Sequence, residues 1–545
     1  MKTIFKHFFA TALLLLVSVS MNAEVYSGDC GIDGDNVKWT LDTETGLLTI
    51  EGEGEMNNYS NFAGAGAPWN SINYNVRHSI LTVKIGTGVT SIGDYAFRDC
   101  SYMTSVTIPE SVKSIGGSAF SGCMDITSIN IPSSIMSVGD NAFQYCYGLN
   151  MPVYNNQIFA YLPTSYQGKY VIPEGIKTIS GGAFSGCKDL VSVTIPESVI
   201  NIGYDAFRGC TGLNEPVHNN KVFAFMPISY QGAYSIPTGI ETIGGGAFAN
   251  CSGLIAVTIP TTVTSIGSRA FEGCSALKSI NIPESVMTIG SYAFKGCKSL
   301  PRTDGLQYAD TYLVSGSGYH PTIKDGTRFI GTWAFGECTE LTSITIPESV
   351  ISIGEAAFYD CGKLTSISIP EGVTSIEPLA FVMCPFTSIT IPESVTSIGR
   401  MAFSYCSDLT SINISEGVTI IGEGAFEYCS RLTSITIPSS VTSIGTGAFS
   451  GCSALSSIDI SEGTLSIGNN AFSSCTSLAS INIPSSVTRI GTEAFFGCSA
   501  LSSIDISEGT LSIGNNALSS CTSLTSITIP SSVTSIGRAV FYGCI

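Results

Sequence analysis

Nineteen cysteines are the most conspicuous reactive groups in this chain, and all but Cys30 fall on one rule. They stand at 100, 123, 146, 187, 210, 251, 274, 297, 338, 361, 384, 406, 429, 452, 475, 498, 521 and 544. The dominant step between them is 23 residues. Such a series could form disulfides or bury as thiols. Disulfides need side chains that face one another, and these cysteines repeat in one orientation beside Phe97, Phe120 and their equivalents. The expectation is buried free thiols acting as small apolar residues.

The other reactive groups do not assemble. His78, His218 and His320 are isolated, and no motif pairs a nucleophile with a base or cradles a phosphate. Asp29, Asp33, Asp35 and Asn36 lack the further spaced ligands of a calcium loop. The sequence thus predicts no enzyme, cofactor or metal. An acidic column runs through Glu110, Glu174, Glu197, Glu284, Asp325, Glu348, Glu371, Glu393, Glu416, Glu462 and Glu508. From Glu416 it alternates with Ser439, Ser485 and Ser531, which relieves repulsion between like charges.

These residues are positioned by a repeat, L-x-x-I-x-I-P-x-x-V-x-x-I-G-x-x-A-F-x-x-C, seen in the unit LTSITIPESVISIGEAAFYDC from Leu341 to Cys361. A fixed period with apolar residues at constant offsets predicts a solenoid in which each unit covers its neighbour. L-x-x-I-x-I reads as a strand with Ile344 inward and Ser343 and Thr345 outward. Pro347 ends that strand, Gly354 opens a turn, and Phe358 and Cys361 share a face of one helical turn. About twenty rungs would stack their S-x-T faces into a sheet on the order of 100 Å long.

The unit resembles the BspA-like, or treponemal-type, leucine-rich repeat of bacterial surface antigens, although Ser or Gly stands near the place of the Asn in the more familiar leucine-rich consensus. The resemblance implies a leucine-rich repeat solenoid of short parallel strands with brief helical or irregular turns. It also implies attachment to extracellular-matrix proteins and cells.

Met1 to Ala23 has Lys2 and Lys6 before an apolar run from Phe8 to Val19, and reads as a cleaved secretory signal. The expected location is secreted or cell-surface, without lipid anchor or transmembrane segment. Residues 24–78 contain VKWTLDTETGLLTIEGEGEM and read as a β-rich cap, with Trp39, Leu41, Leu48 and Ile50 buried and Pro68-Trp69 nearby. Residues 79–545 hold the repeats. Against 42 Asp and Glu the chain carries 24 Lys and Arg, a net charge of −18, which excludes nucleic acid as a partner.

Three enlarged units, 147–187, 211–251 and 298–338, break the period. QIFAYLPTSYQGKYVIPEGI (Gln157 to Ile176) is nearly repeated as KVFAFMPISYQGAYSIPTGI (Lys221 to Ile240), and a third version carries Tyr308, Tyr312, Tyr319 and His320. They read as rungs with projecting loops, in which Tyr161, Phe225 and Tyr312 are core. Tyr166, Tyr230 and Tyr319, together with Ser343 and Thr345 of the strand face, are the binding candidates, because tyrosine among small polar residues suits macromolecular recognition. The function expected is adhesin-like binding of extracellular proteins or glycans. The alternative is a structural protein that self-associates end to end through its last rung, Cys544-Ile545.

Overall fold

The structure is a computed structural model that describes residues 24–32, 34–60, 66–71 and 74–544. The expected signal segment, 1–23, and Asp33 of the acidic cluster lie outside the described residues.

The cap forms where alternating apolar residues flank a tight turn. Strand β1 (Val25–Gly31) pairs antiparallel with β2 (Gly34–Asp42), which pairs antiparallel with β3 (Leu47–Gly52). Between β2 and β3, Asp42 Oδ1 accepts the Glu44 N–H at 2.9 Å, and Gly46 takes φ +68° to bring the chain back. Trp39, Leu41, Leu48 and Ile50 are all buried. β3 then pairs in parallel with Thr82–Ile85, so the cap is continuous with the first rung. Trp69, fully buried, donates from Nε1 to Ala96 O at 3.0 Å and stacks on Phe97 at 5.5 Å.

The repeats build a β-solenoid with three lines of contact between rungs. One is the row of two-residue strands before the repeat glycine, such as Ser397–Ile398, Ile420–Ile421 and Ser443–Ile444, paired in parallel. Its bonds continue through the glycine: Gly399 donates to Ile376 O and Gly422 to Ile398 O, both at 2.8 Å. This glycine is required for close approach rather than for the backbone freedom of a turn. A Cβ on Gly422 would lie 2.8 Å from Gly399 C and from Ile398 O, and Gly354 is similarly hemmed by Thr332 N at 2.8 Å.

The second line, the L-x-x-I-x-I row, does not form the long sheet expected from the sequence. It pairs only in short pieces, such as Ser388–Thr390 with Ser411–Asn413 and Ser434–Ile437 with Ser457–Ile460. Proline explains this, because it brings no N–H to carry the ladder onward. Where Ser461 and Ser507 replace it, their N–H groups donate to Ile437 O and Ile483 O at 3.1 Å, and these rungs have the four-residue pairings.

The third line is the A-F-x-x-C turn, which is irregular rather than helical. Ala356 and Asp360 take φ of +53° and +52°, and Met401 and Tyr405 repeat this at +54° and +58°. Left-handed residues at two positions prevent a helical turn. Turn bonds alternate with bonds between rungs, as in Phe403 N–H to Ala425 O at 2.8 Å followed by Cys406 N–H to Phe403 O at 3.2 Å. Phe403, Phe426, Phe449, Phe472 and Phe495 stack at 5.3–5.4 Å with interplanar angles of 1° to 11°.

The enlarged units interrupt this spine. The glycine row is divided into sheets of 4, 4, 5 and 13 strands, and each later sheet begins inside an enlarged unit with an antiparallel strand. Val217–His218 pairs antiparallel with Val222–Phe225, which then enters the parallel row beside Thr242–Ile243. Asn219 holds the turn: Oδ1 accepts the N–H groups of Lys221 and Val222, while Nδ2 donates to Pro196 O and Val199 O of the preceding rung. Asn155 does the same in the first enlarged unit. The buried apolar clusters follow these divisions, spanning 30–161, 159–225, 223–329 and 306–540.

Candidate functional site

Two of the five candidate side chains are turned into the structure. Tyr166 is half-buried, donates its hydroxyl to Lys169 O at 2.9 Å and meets Tyr170 edge-on at 5.2 Å. Tyr230 is likewise half-buried, donating to Ala233 O at 2.7 Å and meeting Tyr234 edge-on at 5.5 Å. The loops around them fold back instead of projecting. A tyrosine whose hydroxyl is bonded and whose ring packs edge-on against another staples its own loop.

The other three come together. Tyr319, 60% exposed, lies where the third enlarged unit meets the long regular stack. Its carbonyl accepts both the N–H and the Oγ1 hydroxyl of Thr342 at 3.0 Å. Next to it, His320 Nδ1 lies 2.8 Å from Ser343 Oγ and 3.1 Å from Thr342 Oγ1. Ser343 and Thr345 are exposed, and Thr345 bridges Thr322. Glu340 sits on the rim, bound to Lys363 Nζ at 3.0 Å, which with the Lys363 charge lowers its carboxyl pKa. His320, absent from the candidate residues, was marked in the sequence only by its nearness to Tyr319.

Many other hydroxyls, though polar and near the surface, are already used between rungs. Thr410 Oγ1 donates to Thr387 O at 2.9 Å, and Thr419 Oγ1 to Thr396 O at 3.0 Å. Several serines that precede the valine do likewise, Ser394 Oγ to Val373 O and Ser486 Oγ to Thr464 O, both at 2.7 Å. The serines satisfy backbone carbonyls that an interrupted strand leaves unpaired, while the threonines add a second bond to carbonyls that already accept a backbone N–H. The acidic column is partly committed as well: Glu462 and Glu508 accept from the serine pair of the following rung at 3.0–3.2 Å.

The described cysteines are all free thiols. Beyond filling space, each regular one donates to the phenylalanine carbonyl of the rung before, as in Cys429 Sγ to Phe403 O at 3.2 Å and Cys498 Sγ to Phe472 O at 3.1 Å. Burial pushes Cys406 and Cys452 up to about 12, so they stay protonated donors. At the enlarged units the same bond is longer: Cys187 reaches Leu162 O and Pro163 O at 3.6 Å.

Among the described residues no group of three or more His, Cys, Asp or Glu side chains could hold a metal, and the three histidines occupy separate places. His78 meets Tyr102 edge-on, His218 stacks on Phe223, and His320 lies in the patch above. No helix among the described residues is long and apolar enough to cross a membrane.

Similar folds occur in solved structures of a leucine-rich repeat protein from Eubacterium ventriosum ATCC 27560, 20% identical with 96% of this chain and 95% of that one covered, TM-score 0.27; a leucine rich cell surface protein from Faecalibacterium prausnitzii A2-165, 26% identical over 87% and 93%, TM-score 0.24; and a leucine-rich repeat protein from Bacteroides ovatus ATCC 8483, 24% identical over 83% and 94%, TM-score 0.24. No curated protein matches the chain. The repeats match the BspA type leucine rich repeat region over residues 73–165, 155–225, 219–307, 328–455 and 419–545. With its thiols, phenylalanines and glycines thus repeated through most of its length, the chain belongs to the BspA-type leucine-rich repeat family.

Proposed function

We propose that this is an exported adhesin-like protein, secreted or held at the cell surface, that binds host or neighbouring-cell macromolecules through the solenoid face around Tyr319, Ser343 and Thr345. The observation that carries the reading is their convergence at the junction of the third enlarged unit with the long stack. An exposed tyrosine surrounded by hydroxyls offers a rigid apolar ring and adaptable hydrogen bonds, the combination that protein-recognition surfaces favour. Family membership supports it. Tyr166 and Tyr230 contribute by fixing the loops of the earlier enlarged units.

The test is a surface-plasmon-resonance screen of the mature chain against extracellular-matrix proteins, repeated with Tyr319→Ala combined with Ser343→Arg. Affinity should fall at least about tenfold, equivalent to about 1.4 kcal/mol, and Tyr166→Ala or Tyr230→Ala should have a smaller effect. Unchanged binding by the double variant would move the site elsewhere on the solenoid. Failure to bind any matrix protein or to support cell attachment would sink the adhesin reading.

A further inference from the structure

The enlarged units do more than divide the spine. In the second of them the chain passes from Val222–Phe225 through Pro227-Ile228-Ser229-Tyr230-Gln231-Gly232 straight to the next strand, without building an A-F-x-x-C turn. Met226 N–H takes the place of the missing phenylalanine N–H by donating to Ala247 O at 2.7 Å. One turn is therefore missing between that of Cys210 and that of Cys251, and its place is a cleft of about 440 Å³. The chemically active side chains lining it are Tyr204, Asp205, Arg208, Arg269, Glu272 and Lys295.

We propose that this cleft binds a carboxylated sugar of an extracellular glycan, a uronic or sialic acid residue, with Arg269 and Lys295 receiving the carboxylate. The site is separate from the Tyr319 face and stands whether or not that face binds protein.

Charge supports it first. In a chain of net charge −18, three cations converge on one cleft against two carboxylates, leaving it one positive charge. Arg269 lies 5.0 Å over the Tyr204 ring and 5.4 Å over Tyr292, and Lys295 Nζ lies 4.8 Å over the same Tyr292 ring. Two like charges held around one ring repel, and Glu272 pairs with only one of them, Arg269, at 3.7 Å. Arg269 is also pinned: its Nη1 donates to Tyr204 Oη at 2.9 Å. A guanidinium fixed on one side by a phenol and two rings presents its remaining N–H fork for a planar, bidentate acceptor such as carboxylate.

Size and the remaining polar groups select a sugar. The volume lies in the range of small-ligand sites. Asp205, paired with Arg208 at 3.3 Å, and Glu272 are acceptors suited to sugar hydroxyls, and both would repel a ligand of several negative charges. A singly charged ring with many hydroxyls meets both requirements, whereas a sulfated chain meets only the first.

The surroundings suit a chain of sugars. Lys295 and Gly296 also line a second cleft of about 550 Å³, made at the third enlarged unit and walled by Tyr292, Tyr312, Trp333 and Gln307. Aromatic faces there would carry the next sugar.

Calorimetric titration of the mature chain at low salt tests this with four probes: sialyllactose, an unsulfated hyaluronan tetrasaccharide, lactose as the neutral control, and a heparin tetrasaccharide. One of the two unsulfated acidic probes should bind at least tenfold tighter than lactose, and which one does so identifies the acid. Arg269→Gln should remove at least tenfold of that affinity and Lys295→Gln severalfold, with unchanged melting temperatures. Because Lys295 is exposed, its variant carries the test if Arg269→Gln disturbs the turn. Tyr319→Ala with Ser343→Arg should leave sugar binding unaltered. The proposal is overturned if neither unsulfated acid binds, if lactose binds equally, if both cation variants bind like the parent, or if heparin binds tightest, which would mean a general polyanion patch.

Discussion

The stack from residue 328 onward and the part before it are made of the same repeat yet differ in continuity. In the later part, ten parallel strands from Phe329–Ile330 onward run without a break and Phe335 to Phe495 form an uninterrupted aromatic column. In the earlier part, the column tilts or stops at every enlarged unit: Phe207 meets Phe225 at 6.0 Å and 43°, and Phe294 meets Tyr312 at 5.0 Å and 55°. Regularity supplies reach and stability, while the second and third interruptions open clefts of about 440 and 550 Å³. The solenoid thus separates what holds it together from what gives it specificity.

The largest effect should come from cutting the regular column. Phe426 is fully buried between Phe403 and Phe449, and its replacement by Ala should cost about 3–5 kcal/mol. Repeat proteins couple only through nearest neighbours, so the cost falls on the long stack. Chemical denaturation followed by circular dichroism should show more than one phase, with only that of the long stack moved. If Phe426→Ala and Phe207→Ala shift the same single transition, the enlarged units do not divide the molecule energetically.

Much of this division was legible before any coordinates. The period gave the solenoid, the alternation around Thr43-Glu44-Thr45-Gly46 gave the cap hairpin, and the three long intervals marked where the spine would change. What escaped notice were contacts 22 to 26 residues apart, because a pattern shows which positions repeat and not which atoms meet. Nothing in I-P-E-S-V says that its serine bonds the rung before. The A-F-x-x-C spacing suits a helical turn equally well, and only the left-handed residues at 356 and 360 exclude one. The Arg269 cleft was invisible for a related reason: Tyr204 and Arg269 lie 65 residues apart and meet across an enlarged unit.

Thiols provide a second, intermediate way to test the contrast. Burial raises the pKa values of Cys100, Cys406, Cys452 and Cys521 to about 12, so the folded state holds protons that the unfolded chain would release. Stability from this source is complete below pH 9 and is lost as pH rises from 9 toward 12. Alkaline titration of the melting temperature should show that decline. A thiol reagent at neutral pH should modify half-exposed Cys338 well before Cys361 or Cys429, because Cys338 is raised only to about 11 and its bond to Gly316 O is 3.4 Å. Simultaneous modification of all three would mean that the regular column opens as readily as the enlarged units.

The smallest effect concerns the acidic column, where the contrast lies within the regular repeats. Glu462 and Glu508 precede rungs carrying a serine pair, whose N–H groups hold their carboxyls below the usual carboxylate range. Glu348 and Glu371 instead precede rungs that carry Glu371 and Glu393 at the same position, with no serine pair to donate. The clasp contributes above the ordinary carboxylate pKa and is lost as pH falls through the lowered one. At these exposed sites water competes for every bond, so Glu462→Gln should change the melting temperature less than any substitution above. The discriminating measurement is carboxyl NMR during acid titration, in which Glu462 and Glu508 should titrate below the ordinary carboxylate range. Midpoints inside that range would show that the serine alternation merely dilutes charge, leaving the rung-to-rung ties to the phenylalanine, thiol, glycine and backbone-bonding hydroxyl columns.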